Sequence, residues 1–320
     1  MTSVSVRKTD SILPHLAELQ SRVVGAYLGL AVGDALGATV EFMTPREIQT
    51  KHGEHKNITG GGWLHLKAGQ ITDDTQMSLA LGSALLKESG VSGVGIADAF
   101  DEWLKSKPVD VGSTVRRGIV RYRNHGTTEG PVDEFDAGNG AVMRVLPMAL
   151  FSLGAPESHI RRACEIQAHV THNAPLADNG MMTVVDMIQC GLTKPVCSYR
   201  ESIQKAHALG RKHKTYIFTK KRQENPSGFL PDTLRAVFQS FARTDNFESA
   251  LIDVVNRGGD ADTTGAILGM IAGAHYGHGA IPKRWVKALD KHIADQCEAQ
   301  ALRLLKRSPF VTGEPLKFSD

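Results

Sequence analysis

The chain has 320 residues, enough to bury a sizeable core as one large domain or two modest ones. Hydrophobic residues make up 41% and charged residues 22%, an ordinary globular balance, and a net charge of +3 is too small to argue for a nucleic-acid or membrane-surface partner. Four cysteines, Cys164, Cys190, Cys197 and Cys297, lack metal-type spacing, which predicts reduced thiols in a cytoplasmic compartment.

Residues 1–20 read as a polar N-terminal extension with a short helix around Leu16 to Leu19. Asp10, Pro14 and His15 interrupt any apolar run after Arg7 and Lys8, so the stretch is not read as a signal peptide. No later stretch is free of charge over a bilayer's thickness, since the most apolar helix carries Arg22 and Asp34. Over residues 21–38 a helical segment lines one face with Gly25, Gly29, Gly33 and Gly37. Each glycine costs about 1 kcal/mol against alanine, so close backbone packing has to offset the loss. The spacing returns at Gly265, Gly269, Gly273 and Gly277, which predicts two central helices packed closely on each other. Glu41 then opens a polar loop through His52, His55 and Gly60-Gly61-Gly62. It reads as a flexible lid with both histidines solvated rather than metal-bound.

Helices are predicted from the run after Ile71 to about Lys87, over residues 96–105, and after the turn Pro108-Val109-Asp110-Val111-Gly112. The last begins with free backbone amides suited to an anion such as a diphosphate, and Asp110 either faces that site or only caps the turn. Arg116, Arg117, Arg121 and Arg123 read as a solvated basic face. Residues 126–140 form a polar loop. An apolar helix over 142–153 follows, with Pro147 inside it as a source of a kink. Further helices cover 165–170 and 178–191. Residues 193–228, with Lys194-Pro195 and the basic runs Arg211-Lys212-His213-Lys214 and Lys220-Lys221-Arg222, read as a surface excursion. A helix to Phe241 comes after Phe229, an amphipathic helix spans 282–306, and 308–320 is expected to be a flexible tail. With no repeat, no linker and little period-2 alternation, the prediction is an all-α fold, a single compact multi-helix domain over 21–307.

Two acidic runs, Ile71-Thr72-Asp73-Asp74-Thr75 and Gly258-Gly259-Asp260-Ala261-Asp262-Thr263-Thr264, lie where a polar loop becomes an apolar helix-forming run. Neighbouring carboxylates repel, so their grouping implies a cation, a shared proton or a nearby base. Brought together, the two runs offer oxygen donors suited to one or two hard cations such as Mg²⁺ or Mn²⁺. The competing reading makes Thr72 and Asp260 helix N-caps, with the following acids merely complementing helix dipoles. Capping does not need three acidic or hydroxyl residues at both places, which favours the ion site. Asn139 between glycines is either a turn or an amide free to bond a ligand, and His172 by itself reads as a structural residue.

These runs, together with Gly33-Asp34-Ala35-Leu36-Gly37, Glu41, Asp110-Val111-Gly112, Gly138-Asn139-Gly140-Ala141 and Thr171-His172-Asn173, appear in an order that resembles the ADP-ribosylglycohydrolase family across residues 20–280. Within that family the pattern is most similar to the dinitrogenase reductase-activating glycohydrolases. The resemblance implies an all-helical hydrolase with two divalent cations, Mg²⁺ or Mn²⁺, that removes ADP-ribose from a modified protein side chain, typically arginine. It implies Thr72, Asp73, Asp74, Asp260, Asp262 and Thr263 as metal ligands. Glu41, Asp110 and Asp73 would position or deprotonate the reacting groups, while Gly112, Ser113, Asn139, Gly140, His172 and Phe229 would hold the ADP-ribose. Ser113 and Phe229 depart from the Asn and Tyr usual in that branch, which leaves the linkage and the target protein open. The implied partner is an ADP-ribosylated protein, with a regulatory or transferase partner also open. The alternative readings are a non-catalytic, immunity-type binder of ADP-ribose or of a transferase, and a hydrolase of another ADP-ribose linkage.

Overall fold

In a computed structural model, which describes residues 6–88, 90–133, 137–193 and 198–319, the two glycine-lined helices lie against each other at the centre. They are α1 (Val6–Gly37) and α12 (Ala261–Tyr276). Between them in sequence come α2 (Pro45–His52), α3 (Asp73–Lys87), α4 (Gly93–Lys105), α5 (Ser113–His125), α6 (Leu146–Phe151), α7 (Glu157–His169), α8 (Pro175–Thr193), α9 (Ser198–Lys212), α10 (Leu230–Arg243) and α11 (Phe247–Val255). The chain closes with α13 (Lys283–Ala288), α14 (Lys291–Arg307) and α15 (Pro309–Thr312). Among the described residues the fold is all-α apart from one parallel pair of two-residue strands, β1 (Val91–Ser92) and β2 (Phe318–Ser319).

The predicted glycine contact is direct. A Cβ on Gly25 would stand 2.8 Å from the carbonyl oxygen of Gly273, and one on Gly29, Gly33 or Gly37 would overlap the carbonyl of Gly269, Gly265 or Ala261. Rising numbers on one helix meet falling numbers on the other, so the pair is antiparallel. The end of α1 therefore abuts the start of α12, which is buried from Ala261 to His275. Around this pair α3, α8, α10, α11 and α14 complete the core. From α14, Gln300 accepts a hydrogen bond from the buried Tyr27 hydroxyl and donates to Leu79 O at 3.0 Å.

Several expectations are corrected. The first helix begins at Val6 rather than near Ser21, because nothing between Leu19 and Ser21 breaks it; residues 1–5 lie outside the described residues. The loop after Glu41 is not featureless. It carries α2, whose Thr44 and Glu47 form a reciprocal capping box with Pro45 in the first turn. His55 is not solvated either: it is buried, with Nε2 2.9 Å from Leu36 O. The helix expected over 142–153 is confined to Leu146–Phe151, and Pro147 starts it instead of kinking it, where the missing N–H costs nothing.

The supposed excursion over 193–228 contains α9 and a buried apolar pair, Tyr216 and Phe218, with the Tyr216 hydroxyl donating to Leu176 O at 2.9 Å. Lys194, Pro195 and Cys197 lie outside the described residues, while Cys164 and Cys297 are free and buried and Cys190 is buried. The tail is docked rather than loose. Leu316 is buried, and Phe318 pairs with Val91 under the Arg162 guanidinium, 4.3 Å from the ring centre. An unpaired strand edge beside an apolar surface accounts for that docking. Among the described residues, no helix is long and apolar enough to cross a membrane.

Candidate active site

The antiparallel contact places Asp34, in the last turn of α1, beside the starts of α3 and α12. Asp34 is fully buried, and its carboxylate accepts the backbone N–H groups of Thr72 (3.0 Å) and Thr75 (3.1 Å) and both their hydroxyls (2.9 and 2.5 Å). It thereby pins the first acidic run to α1. The second run reaches the first through Thr263, whose hydroxyl donates to Asp74 Oδ2 at 3.4 Å across 189 positions of sequence. Glu41, Asp260 and Asp262 each bring a carboxylate oxygen to within 4.8 Å of the other two. The two runs therefore share one cluster.

The capping reading fails at both helices. Neither Thr72 nor Asp260 makes a side-chain cap bond; the Thr72 hydroxyl goes to Asp34, and Asp260 Oδ2 accepts the Asn139 amide at 2.6 Å. Among the described residues, no lysine or arginine forms an ion pair with Glu41, Asp34, Asp73, Asp74, Asp260 or Asp262. Burial without a counter-charge raises the proton affinities of Asp34, Glu41, Asp73, Asp74 and Asp262. Asp34 moves up to about 6, and Asp73 to about 7 with Asp110 and Asp34 adding to the effect. Glu41 rises to about 8 although the Trp63 indole hydrogen bond opposes the shift. Asp74 and Asp262 are pushed well above the usual carboxylate range, first by burial and then by their acidic neighbours. Asp74 Oδ1 is buried with no hydrogen-bond partner at all. An all-oxygen donor set, crowded, desolvated and with an orphaned oxygen, fits a hard divalent cation.

Over this cluster opens a cavity of about 520 Å³. Glu41, Asp73, Asp260, Asp262 and Thr263 form its acidic floor, and Asp110, Gly112, Ser113, Asn139, Gly140, His172 and Phe229 also border it. Thr72 and Asp74 stand behind the lining. Asp73 is tied to the start of α5 by the Gly112 N–H. Gly112 is the N-cap of α5 and makes no side-chain cap bond.

A model of the family described as ADP-ribosylglycohydrolase matches residues 15–311. The chain belongs to the ADP-ribosylglycohydrolase family. It is 47% identical to the ADP-ribosyl-[dinitrogen reductase] glycohydrolase of Rhodospirillum rubrum, over 90% of this chain and 96% of that protein. The ADP-ribosylarginine hydrolase of Pseudomonas putida is 31% identical, over 91% of this chain and 79% of its own length. A solved structure, an ADP-ribosylglycohydrolase-related protein complex, superposes with a TM-score of 0.80 at 34% identity, covering 91% of this chain and 99% of that one.

Within this ADP-ribosylglycohydrolase, Asn139 borders the cavity with its NH₂ engaged inside the fold. Its amide donates to Asp260 Oδ2 and to Thr233 Oγ1 (3.0 Å), so it orients a cluster carboxylate. The glycines serve His172: a Cβ on Gly138 or Gly140 would come within 3.0 or 2.8 Å of that ring. Thr171 Oγ1 accepts a hydrogen bond from buried Arg144 at 2.8 Å, which directs its own hydrogen to His172 Nδ1, also 2.8 Å away. That assignment leaves His172 Nε2 as an N–H donor at the cavity wall. Burial, with Arg144 and Arg117 adding, pushes the imidazole down to about 3, so it stays neutral.

Three participants escaped the sequence reading. Arg144 was signalled only as a charge within an apolar run. Phe42 and Trp63 gave no signal, since the Trp63 indole N–H meets Glu41 Oε2 (2.6 Å) only in the fold.

Proposed function

We propose that this enzyme hydrolyses the N-glycosidic bond between ADP-ribose and an arginine side chain of a modified protein, with two divalent cations, Mg²⁺ or Mn²⁺, in the carboxylate cluster. The observation that carries the reading is the meeting of two distant acidic runs around the orphaned Asp74 Oδ1 at the floor of a cavity. The arginine linkage is supported by the name of the Pseudomonas relative, an ADP-ribosylarginine hydrolase. Buried free thiols support a cytoplasmic setting.

Glu41, Asp73, Asp74, Asp260, Asp262 and Thr263 would hold the ions, with the remaining lone pairs of Thr72 completing the set. When bound, the ions supply positive charge that neutralises the cluster and lowers the pKa of water held there. The Ser113 amide in the first turn of α5 suits the diphosphate, which a helix N-terminus favours, while the Gly112 N–H holds Asp73 beside it. His172 donates its Nε2–H to a substrate oxygen, and Phe229, 38% exposed at the cavity wall, offers a stacking face. Asp110 has Oδ1 held by the Val111 N–H at 2.7 Å. Its other oxygen is left to accept a proton from the attacking water, and burial raises its proton affinity toward that task. The charge that builds on the ribose as the bond breaks is positive, so the surrounding carboxylates stabilise it. Asn139 keeps Asp260 aimed at the floor.

The test is to offer proteins ADP-ribosylated on arginine or serine, and an ADP-ribosylated nucleic acid, with each ion. Release of ADP-ribose from the arginine conjugate, stopped by a chelator and restored by Mg²⁺ or Mn²⁺, is the expected result. Cleavage confined to the serine or nucleic-acid conjugate would refute the linkage.

A further inference from the structure

Phe42 and Trp63 are among the most exposed large apolar side chains, at 65% and 50%, yet both border the catalytic cavity. Their ring centres lie 5.4 Å apart with the planes tilted at 45°. Phe42 also takes a positive φ of 60°, a region that bulky residues avoid. The loop holds it there: the Phe42 N–H donates to Gly259 O at 2.7 Å, and the Gly259 N–H donates to Met43 O at 3.0 Å. The conformation is thus locked to the turn that carries Asp260. The Trp63 indole is fixed as well, because its N–H is spent on Glu41. Neither ring earns core burial from this placement, and a backbone outlier retained at a cavity mouth points to a contact with something outside the chain.

Charge decides what that something is. A diphosphate is drawn to the amides at the start of α5 and to the positive charge the ions bring to the floor. The cationic half of the substrate is sorted the other way, toward Glu41. A guanidinium is planar, weakly hydrated and well suited to lie on an aromatic face while facing a carboxylate. We infer that Phe42 and Trp63 form the subsite for the modified arginine side chain, receiving its guanidinium and alkyl stem on their exposed faces beside Glu41. This rests on the arginine linkage proposed above and adds the residues that recognise it.

The experiment uses the ion-loaded enzyme and two readouts. In steady-state kinetics on an ADP-ribosyl-arginine substrate, Phe42→Ala is expected to raise KM about two- to fivefold with kcat held, the size of an exposed cation–π contact. Phe42→Tyr, which keeps the ring, should retain the wild-type KM, and inhibition by free ADP-ribose should be equal in all three proteins. The second readout is tryptophan fluorescence during titration with agmatine, a free alkylguanidinium. A response is expected in the wild type that Trp63→Phe and Phe42→Ala both diminish. An unchanged KM in Phe42→Ala, or an agmatine response that survives both substitutions, overturns the subsite. If the wild type releases nothing from arginine while the agmatine response still depends on the two rings, the subsite stands and the linkage reading falls.

Discussion

Asp262 enters the cluster from the first turn of α12, almost fully buried, with Oδ1 held by the Thr263 N–H at 2.9 Å. Replacing it with alanine removes both a proposed ligand and a source of repulsion. Asp262→Ala is therefore expected to lower ADP-ribose release by at least about 100-fold while raising the melting temperature of chelator-treated protein. Full activity in that variant would refute the ligand assignment. Asn139 is the contrasting case, since it touches Asp260 and Thr233 rather than the proposed ions. Asn139→Ala should cost about 10- to 100-fold in activity or in ion affinity, the usual effect of releasing a ligand from its support. Activity titrated against Mn²⁺ would show whether added ion recovers part of the loss. The identities of these acids are readable in the sequence. Which hydrogen bond each one makes is not, because Asp34 is held by Thr72 and Thr75 from a different helix.

The α1–α12 contact is where a helix-scale property makes the site possible. Alanine at Gly33 or Gly265 would gain about 1 kcal/mol of helix propensity but force a methyl group into the facing carbonyl, which the backbone cannot yield without separating the helices. Overpacking of that kind costs about 1–3 kcal/mol or more, so both variants should melt lower than wild type and lose ion binding together. Gly279→Ala meets nothing within 4 Å and serves as the control, expected to change stability by no more than about 0.5 kcal/mol. Urea titration distinguishes these outcomes. Equal stability of Gly33→Ala and Gly279→Ala would show that the close approach is not needed. The four-residue spacing announced this contact in the sequence. The docking of β2 on β1 had no such announcement, since two residues carry no period.

For the whole molecule, the carboxylate cluster sets how stability depends on pH. Native Asp34, Asp73 and Glu41 titrate near 6, 7 and 8, above the ordinary range near 4 expected when unfolded, so the ion-free native state holds more protons than the unfolded chain between those values. Stability contributed by these groups is present in acid and lost as pH rises through their native values. His172 and His275, pushed down to about 3 and about 4 by burial, act oppositely, but their contribution is already complete above about 6.5. Chelator-treated protein is thus expected to melt lower at pH 8 than at pH 6.5, and Mg²⁺ or Mn²⁺ to restore more at pH 8, where fewer protons must be displaced. A melting temperature of the ion-free protein that rises over that window would contradict the buried, unpaired state of the cluster.

Read alone, the sequence determined what is periodic or locally ordered: a helical fold, two glycine-lined helices suited to each other, and two acidic runs at helix starts. Those features rest on short-range spacing, which a linear chain displays openly. Only the tertiary structure decided that the acids leave their helices uncapped, that Asn139 donates its amide to Asp260, and that Phe42 and Trp63 stand beside Glu41. Each of those depends on which of several partners a side chain meets, and folding brings those partners in from distant parts of the chain.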